Sequence, residues 1–272
     1  MRALGNHYTE DYVIKTIKDG AFSLLSDTAQ ALSEFNDLEY MVIGGWCPVL
    51  RNTSGITHPG TLDVDILFKD SYRSGNLEAV LKKFIDAGFM PSAKHPFQLL
   101  KPQDIGGKKF VYNIDILHPG MLDNKDQVGM FVDHLDLDVP LNEGEKLKKV
   151  VSIVLPNSAI LFKENLYDIY DEDGLSFNLV SFDGMFITKM DSCQKQKRER
   201  DSFDIYLAFL SNGVNVSRIN EIAQNDSRID KSLKSFKQFL NNKSDIFNAN
   251  VLLFNTSTKG SPANDILGKL NA

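Results

Sequence analysis

The hydrophobic period changes several times along this chain. Over residues 9–36, Val13, Ile14, Ile17, Phe22, Leu24, Leu25, Ala29 and Leu32 recur at roughly helical spacing. Gly20 offers a point at which that segment divides into two helices. An apolar run then predicts a strand over 39–44 that ends on Gly44-Gly45 and turns into a short helix. After a loop, residues 61–68 (TLDVDILF) carry the β-branched and aromatic residues of a buried strand. The helical period returns over 75–88. There Leu77, Val80, Leu81, Phe84 and Ile85 share one face, Lys82, Lys83 and Asp86 oppose them, and Gly88 supplies a C-cap.

Residues 97–101 and 109–117 alternate as the arms of a hairpin, with its turn at 104–107. Residues 118–145 are acidic and loop-rich, the composition of a solvated connector. Further strands are predicted at 150–155 and 177–180, at the sheet edge. After that the chain reads as helix at 182–195, 200–211, 216–224, 230–240 and 246–254, with Asn212-Gly213 ending the second of these. The final residues determine little. This switch places a boundary near residue 181, between an α/β half (1–181) and a helical half (182–272).

Candidate chemistry concentrates in the first half. Side chains alternate across a strand, so Asp63 and Asp65 share a face. Two adjacent carboxylates repel each other and are costly to desolvate. A hard divalent cation resolves that conflict, because it takes oxygen ligands and bridges carboxylates to phosphates. Gly44-Gly45 lets backbone approach a ligand closely, with N–H groups facing an anion at the helix start. Each feature alone is ordinary, one a tight turn and the other a solvated strand end. Their pairing suits transfer of a phosphoryl or nucleotidyl group. In the second hairpin arm Val111, Asn113 and Asp115 share one face, while Tyr112, Ile114 and Ile116 share the other. An acid between two isoleucines needs either an ion-pair partner or a role.

At these residues the chain resembles the nucleotidyltransferase superfamily, the DNA polymerase β-like group. The signature stands here as Ile43-Gly44-Gly45 and Thr61-Leu62-Asp63-Val64-Asp65-Ile66. The gap between the two parts is similar to that of AbiEii-type (type IV) toxins and of antibiotic nucleotidyltransferases. Lys189, Arg198, Arg200, Asp201 and Asp204, followed by Ile205-Tyr206-Leu207, resemble the second motif of the AbiEii-type toxins. Gln196 stands where that motif has an arginine, and Lys195 or Lys197 are the alternative sources of charge.

The resemblance implies an α+β fold: a mixed-sheet nucleotidyltransferase catalytic domain with a C-terminal helical domain completing the nucleotide and acceptor site. It implies an NTP donor held by Gly44, Gly45, Thr61, Lys189, Arg198 and Asp204. Asp63, Asp65 and Asp115 would hold Mg2+ (or Mn2+), with Asp115 helping to deprotonate the acceptor. Lys189 would meet the charge of the leaving triphosphate. The acceptor implied is RNA, notably tRNA, and a cognate antitoxin protein is the implied partner. Two alternatives stay open. One is a nucleotidyltransferase acting on an antibiotic, and the other is a catalytically silent nucleotide-binding or regulatory module. Lys189 reads equally as a snorkelling helix lysine, and Asp201 and Asp204 as partners of the neighbouring arginines.

Composition narrows the remainder. A net charge of −6 argues against a surface that binds nucleic acid as a whole. It leaves a local basic cluster at Lys195, Lys197, Arg198 and Arg200. Two cysteines far apart, Cys47 and Cys193, form no disulfide framework and fit a reducing, cytoplasmic setting. The first residues lack the apolar run of a signal peptide, and no stretch reaches transmembrane length, so no membrane partner is expected. Cys47 has no histidine or acid arranged beside it for nucleophilic catalysis. Trp46 reads as a packing residue, and His58 and His118 are single histidines near the motifs.

Overall fold

The computed structural model describes residues 16–35, 37–69, 76–92, 94–120, 134–135, 139–140, 146–147, 150–172 and 174–272. The chain divides into two compact units. One comprises Met1–Gly44 with Thr61–Leu179, the other Gly45–Gly60 with Val180–Ala272. A single cut near 181 therefore misses one feature: the segment inserted between the glycine pair and the aspartate strand belongs with the helices.

The first unit is a mixed sheet with helices. Its strands are β1 (Tyr40–Ile43), β2 (Asp63–Phe68), β3 (Met90–Pro91), β4 (Gln98–Ile105) and β5 (Lys108–Pro119). Later come the short β6 (His134–Leu135), β7 (Val139–Pro140), β8 (Lys146–Leu147) and β9 (Val150–Val151), then β10 (Ile153–Leu155), β11 (Tyr167–Glu172) and β12 (Leu175–Val180). The main sheet runs β11-β12-β1-β2-β5-β4-β3, with β10 against the end of β5. β1 pairs antiparallel with β2 and parallel with β12, while β2 pairs parallel with β5. The predicted strand near 177–180 is thus interior, and β11, which the sequence did not predict, covers it. The acids predicted to fill a connector at 123–138 lie outside the described residues, except that Leu135 and His134 form β6.

Helix α1 (Ile17–Leu32) begins with a capping box. Thr16 Oγ1 accepts from the Asp19 amide at 3.1 Å, and Asp19 Oδ2 accepts from the Thr16 amide at 2.9 Å. The helix runs through Gly20 without a break, contrary to the sequence expectation. The reason is tertiary. A Cβ at Gly20 would meet the Tyr112 hydroxyl, which donates to the Ile17 carbonyl at 2.9 Å. A helix α3 (Asn76–Asp86) follows β2, burying Val80, Leu81 and Phe84, and Gly88 ends it at φ 86°. A short α4 (Ala159–Lys163) precedes β11.

The second unit is helical: α2 (Trp46–Arg51), α5 (Phe182–Lys189), a 3-10 turn (Ser192–Gln194), α6 (Glu199–Leu210), α7 (Val216–Asn225), α8 (Ser227–Asn242), α9 (Ser244–Phe254) and α10 (Pro262–Asn271). The predicted helix over 182–195 stops at Lys189. The segment 45–60 is tied in by hydrogen bonds. Arg51 Nε donates to the Val180 carbonyl at 3.0 Å, and the Thr53 amide donates to Ser211 Oγ at 3.1 Å. Trp46 and Cys47 are buried, as expected for packing residues. An aromatic cluster fills the unit: Phe186 meets Phe209 and Phe236 edge-on, and Phe236 meets Phe247. Each such ring contributes about 1.5–3 kcal/mol by leaving water. Ser261 caps α10 and Pro262 begins it, a side-chain cap followed by a proline whose fixed φ suits the first helical turn.

Among the described residues no helix is long and apolar enough to cross a membrane.

Candidate active site

In the α/β unit the strand register gathers the predicted acids. Asp63 and Asp65 are half-buried on one face of β2, and Val64 and Ile66 are buried on the other. The parallel pairing sets Asp65 opposite Asp115 and Asp63 opposite Asn113. Residues in register on neighbouring strands project to the same side of a sheet. Asp63, Asp65 and Asp115 therefore share a face.

Gly44 closes this group. It follows β1, whose last residue, Ile43, pairs with Asp65. Its φ of 74° lies in the left-handed region, and a Cβ there would strike Asp65 Oδ2. Glycine is thus needed twice, for the turn and for the carboxylate. Gly44→Ala is expected to lower stability by about 1–2 kcal/mol from the backbone alone. Thermal melts check that figure; a variant as stable as wild type would separate the Gly44 conformation from the fold.

The other partners were not predicted. Thr61 Oγ1 donates to Asp63 Oδ1 at 2.5 Å. Gln98 Nε2 and Asn113 Nδ2 both donate to Asp115 Oδ1, at 2.9 and 2.7 Å. Asn113 was visible as a face-mate of Asp115. Gln98 was not, since it comes from the antiparallel neighbour β4. Burial pushes the Asp115 carboxyl above the usual carboxylate range, and the charge of Asp63 adds to this. The two amides and His95 oppose the rise without cancelling it.

The donors of this set decide whether it fits a divalent cation. All three acids are hard oxygen ligands on one face, the chemistry Mg2+ takes. Among the described residues, however, no three His, Cys, Asp or Glu side chains already close around a metal position. The carboxylates of Asp63 and Asp115 engage Thr61, Gln98 and Asn113 instead. The donor chemistry fits, with Asp63 and Asp65 as the natural pair and Asp115 beside them.

The helical unit holds the second predicted group, and there the structure gives Lys189 a different setting from the expected one. Its ammonium donates to Asp201 Oδ1 and Asp204 Oδ2, both at 2.6 Å. All three residues are buried. Burial alone would lower the lysine's pKa. The carboxylates of Asp204 and Asp201 outweigh that and hold its pKa well above the usual lysine range. Burial likewise pushes Asp204 upward, but the Lys189 charge and a hydrogen bond from His58 win, holding it below the usual range. A lysine satisfied by two carboxylates is a buried ion triad, not a phosphate receptor awaiting charge. Asp201 and Asp204 pair with this lysine rather than with neighbouring arginines. Arg198 is exposed with Lys195 and Lys197, where a basic turn precedes α6, and Arg200 is half-buried. Cys193 is buried, and burial drives its thiol far up.

No family model matches this sequence, and no curated protein matches it. The solved structures that resemble it include two of low identity. One is the crystal structure of an antigenic nucleotidyltransferase-like protein from Paracoccidioides brasiliensis, at 15% identity and TM-score 0.37, covering 82% of this chain and 95% of that one. The other is the solution structure of the antibiotic-resistance factor ANT(2'')-Ia, at 14% identity and TM-score 0.36, covering 81% of this chain and 95% of that one.

Proposed function

We propose that this chain is a nucleotidyltransferase that moves a nucleoside monophosphate from an NTP to a hydroxyl of RNA, with tRNA as the favoured acceptor. The observation that carries this reading is the shared face of Asp63, Asp65 and Asp115, with Gly44 closed onto Asp65. Asp63 and Asp65 would hold Mg2+ or Mn2+, which supplies Lewis-acid stabilisation of phosphate charge. The acceptor oxygen attacks the α-phosphorus, a new P–O bond forms, and the bond to pyrophosphate breaks. Asp115 accepts the acceptor's proton at its carboxylate. Its Oδ1 is fixed by Gln98 and Asn113, which orient the group. Gly44 and Gly45 offer backbone N–H groups to the donor's phosphates. Thr61 orients Asp63 through its hydroxyl.

The exposed Lys195, Lys197 and Arg198 favour a polyanionic acceptor over a cationic drug. An enzyme of this kind, acting on tRNA, fits the toxin of a toxin–antitoxin or phage-defence pair. The test is transfer of label from each α-labelled NTP, with Mg2+ or Mn2+, to tRNA and separately to aminoglycosides. Labelled tRNA is the expected result and identifies the donor. Label on the drug alone would replace the acceptor. NTP binding without label on either would replace the reaction by a silent binding module.

A further inference from the structure

The sheet face that carries Asp63, Asp65 and Asp115 extends beyond them, and the strand register lays it out in rows. In the first row Gln98 lies opposite Asp115. In the second, Leu100 lies opposite Asn113, which is itself opposite Asp63, and Met90 continues the row beside Leu100. The third row is Val111 with Pro102. A strand rises about 3.3 Å per residue, so this row lies about 7 Å from the second and about 13 Å from the first. The other face of the same strands is core. Leu99 and Ile114 are fully buried there, and Tyr112 donates to the Ile17 carbonyl of α1.

On the acid face the apolar residues stay in contact with water. Val111 is 60% exposed and Met90 46%, Pro102 is exposed and Leu100 is half-buried. A contiguous apolar group left in water forgoes the stabilisation of burial, and such patches mark contact sites. This one adjoins three carboxylates within the same sheet. The strand order says which reactant it faces. Gly44 follows β1 on one side of β2, while β5, β4 and β3 lie on the other. In the transfer described above, the donor's phosphates lie toward Gly44 and the attacking oxygen meets Asp115. In-line displacement sets attacking and leaving oxygens on opposite sides of the phosphorus. The acceptor therefore arrives over β5 and β4, where the patch lies. In an RNA acceptor, the group that matches an apolar surface is the flat face of an unpaired base.

We infer that Met90, Leu100, Pro102 and Val111 form an acceptor platform, on which lies the base of the terminal nucleotide whose hydroxyl meets Asp115. The choice of a nucleotide as occupant rests on the nucleotidyltransferase reading, but binding of the base is measured without transfer.

Met90→Ser/Val111→Ser makes the two most exposed members polar, with little effect on a thermal melt because neither side chain is buried. Without NTP, fluorescence anisotropy of a short dye-labelled single-stranded RNA should show about tenfold weaker binding by this double variant than by wild type. The same RNA lacking the base of its last nucleotide should bind wild type about tenfold more weakly, and should bind both proteins alike. Equal loss of affinity for both RNAs, or for neither, would overturn the inference. So would a wild type that binds neither RNA. A smaller sedimentation coefficient for the double variant would give the patch to a second copy of this chain and overturn it as well. If wild type prefers the intact RNA yet transfers nothing from NTP, the reaction falls and the base-binding platform stands.

Discussion

Replacing both Asp63 and Asp65 with asparagine should abolish nucleotide transfer and leave the fold standing. Asparagine keeps the size and much of the hydrogen bonding of each side chain but carries no charge for a cation. A metal supplies several kcal/mol of transition-state stabilisation in this chemistry. The loss in kcat should therefore be about a thousandfold or more. Stability should hold or rise slightly. Both side chains are half-buried, and the Asp63 charge adds to the rise of the Asp115 pKa. Removing like charges from one face of a sheet relieves repulsion. Transfer of α-labelled NTP, beside a thermal melt of the same preparation, measures both. A folded double variant retaining a tenth of wild-type activity would sink the assignment of these acids.

The second large effect concerns stability. Lys189→Met should destabilise the protein by about 3–5 kcal/mol, because it leaves Asp201 and Asp204 buried without their cation. For a chain of this size that corresponds to a melting shift on the order of 10 °C. Adding Asp204→Asn to the variant should recover part of the loss, since it removes one uncompensated charge. The pH dependence has a definite sign. Lys189 is held above its ordinary range, so its contribution is complete below that range and disappears as pH rises through the folded value. Asp204 is held below its ordinary range, so its contribution is complete above that range and disappears as pH falls through the folded value. Wild-type stability from this triad is therefore level across neutral pH. In Lys189→Met, burial dominates Asp204, the carboxylate takes up a proton more readily, and the deficit narrows as the solution is acidified. Chemical denaturation at neutral and mildly acid pH checks this. A deficit below about 1 kcal/mol, or one that widens with acid, would mean the triad is not the buried ion cluster described.

Local pattern alone was enough for much of this molecule. The run ending at Gly44, the alternation that puts Asp63 and Asp65 on one face, the hairpin of β4 and β5, and most helices of the second half were legible. Strand and helix periods are local properties, and so is the chemistry of glycine turns. The sequence also named the three acids of the candidate site, since an aspartate between buried apolar neighbours stands out wherever its strand lies.

What it could not show was pairing across long separations. Gly20 read as a helix breaker because nothing nearby in sequence announces Tyr112, whose hydroxyl takes the space a side chain would fill. Lys189 read as a phosphate ligand or a snorkelling lysine because its partners become visible only once α5 and α6 fold together. His58 read as a lone histidine because Asp204 lies 146 residues away. The segment 45–60 read as part of the α/β half because it is flanked by that half's strands, whereas the contacts assign it to the helices. In each case local periodicity fixed where a side chain sits on its own element. Which distant group satisfies its charge or hydrogen bond was decided by tertiary packing, because burial makes an unmet polar group too costly to leave alone.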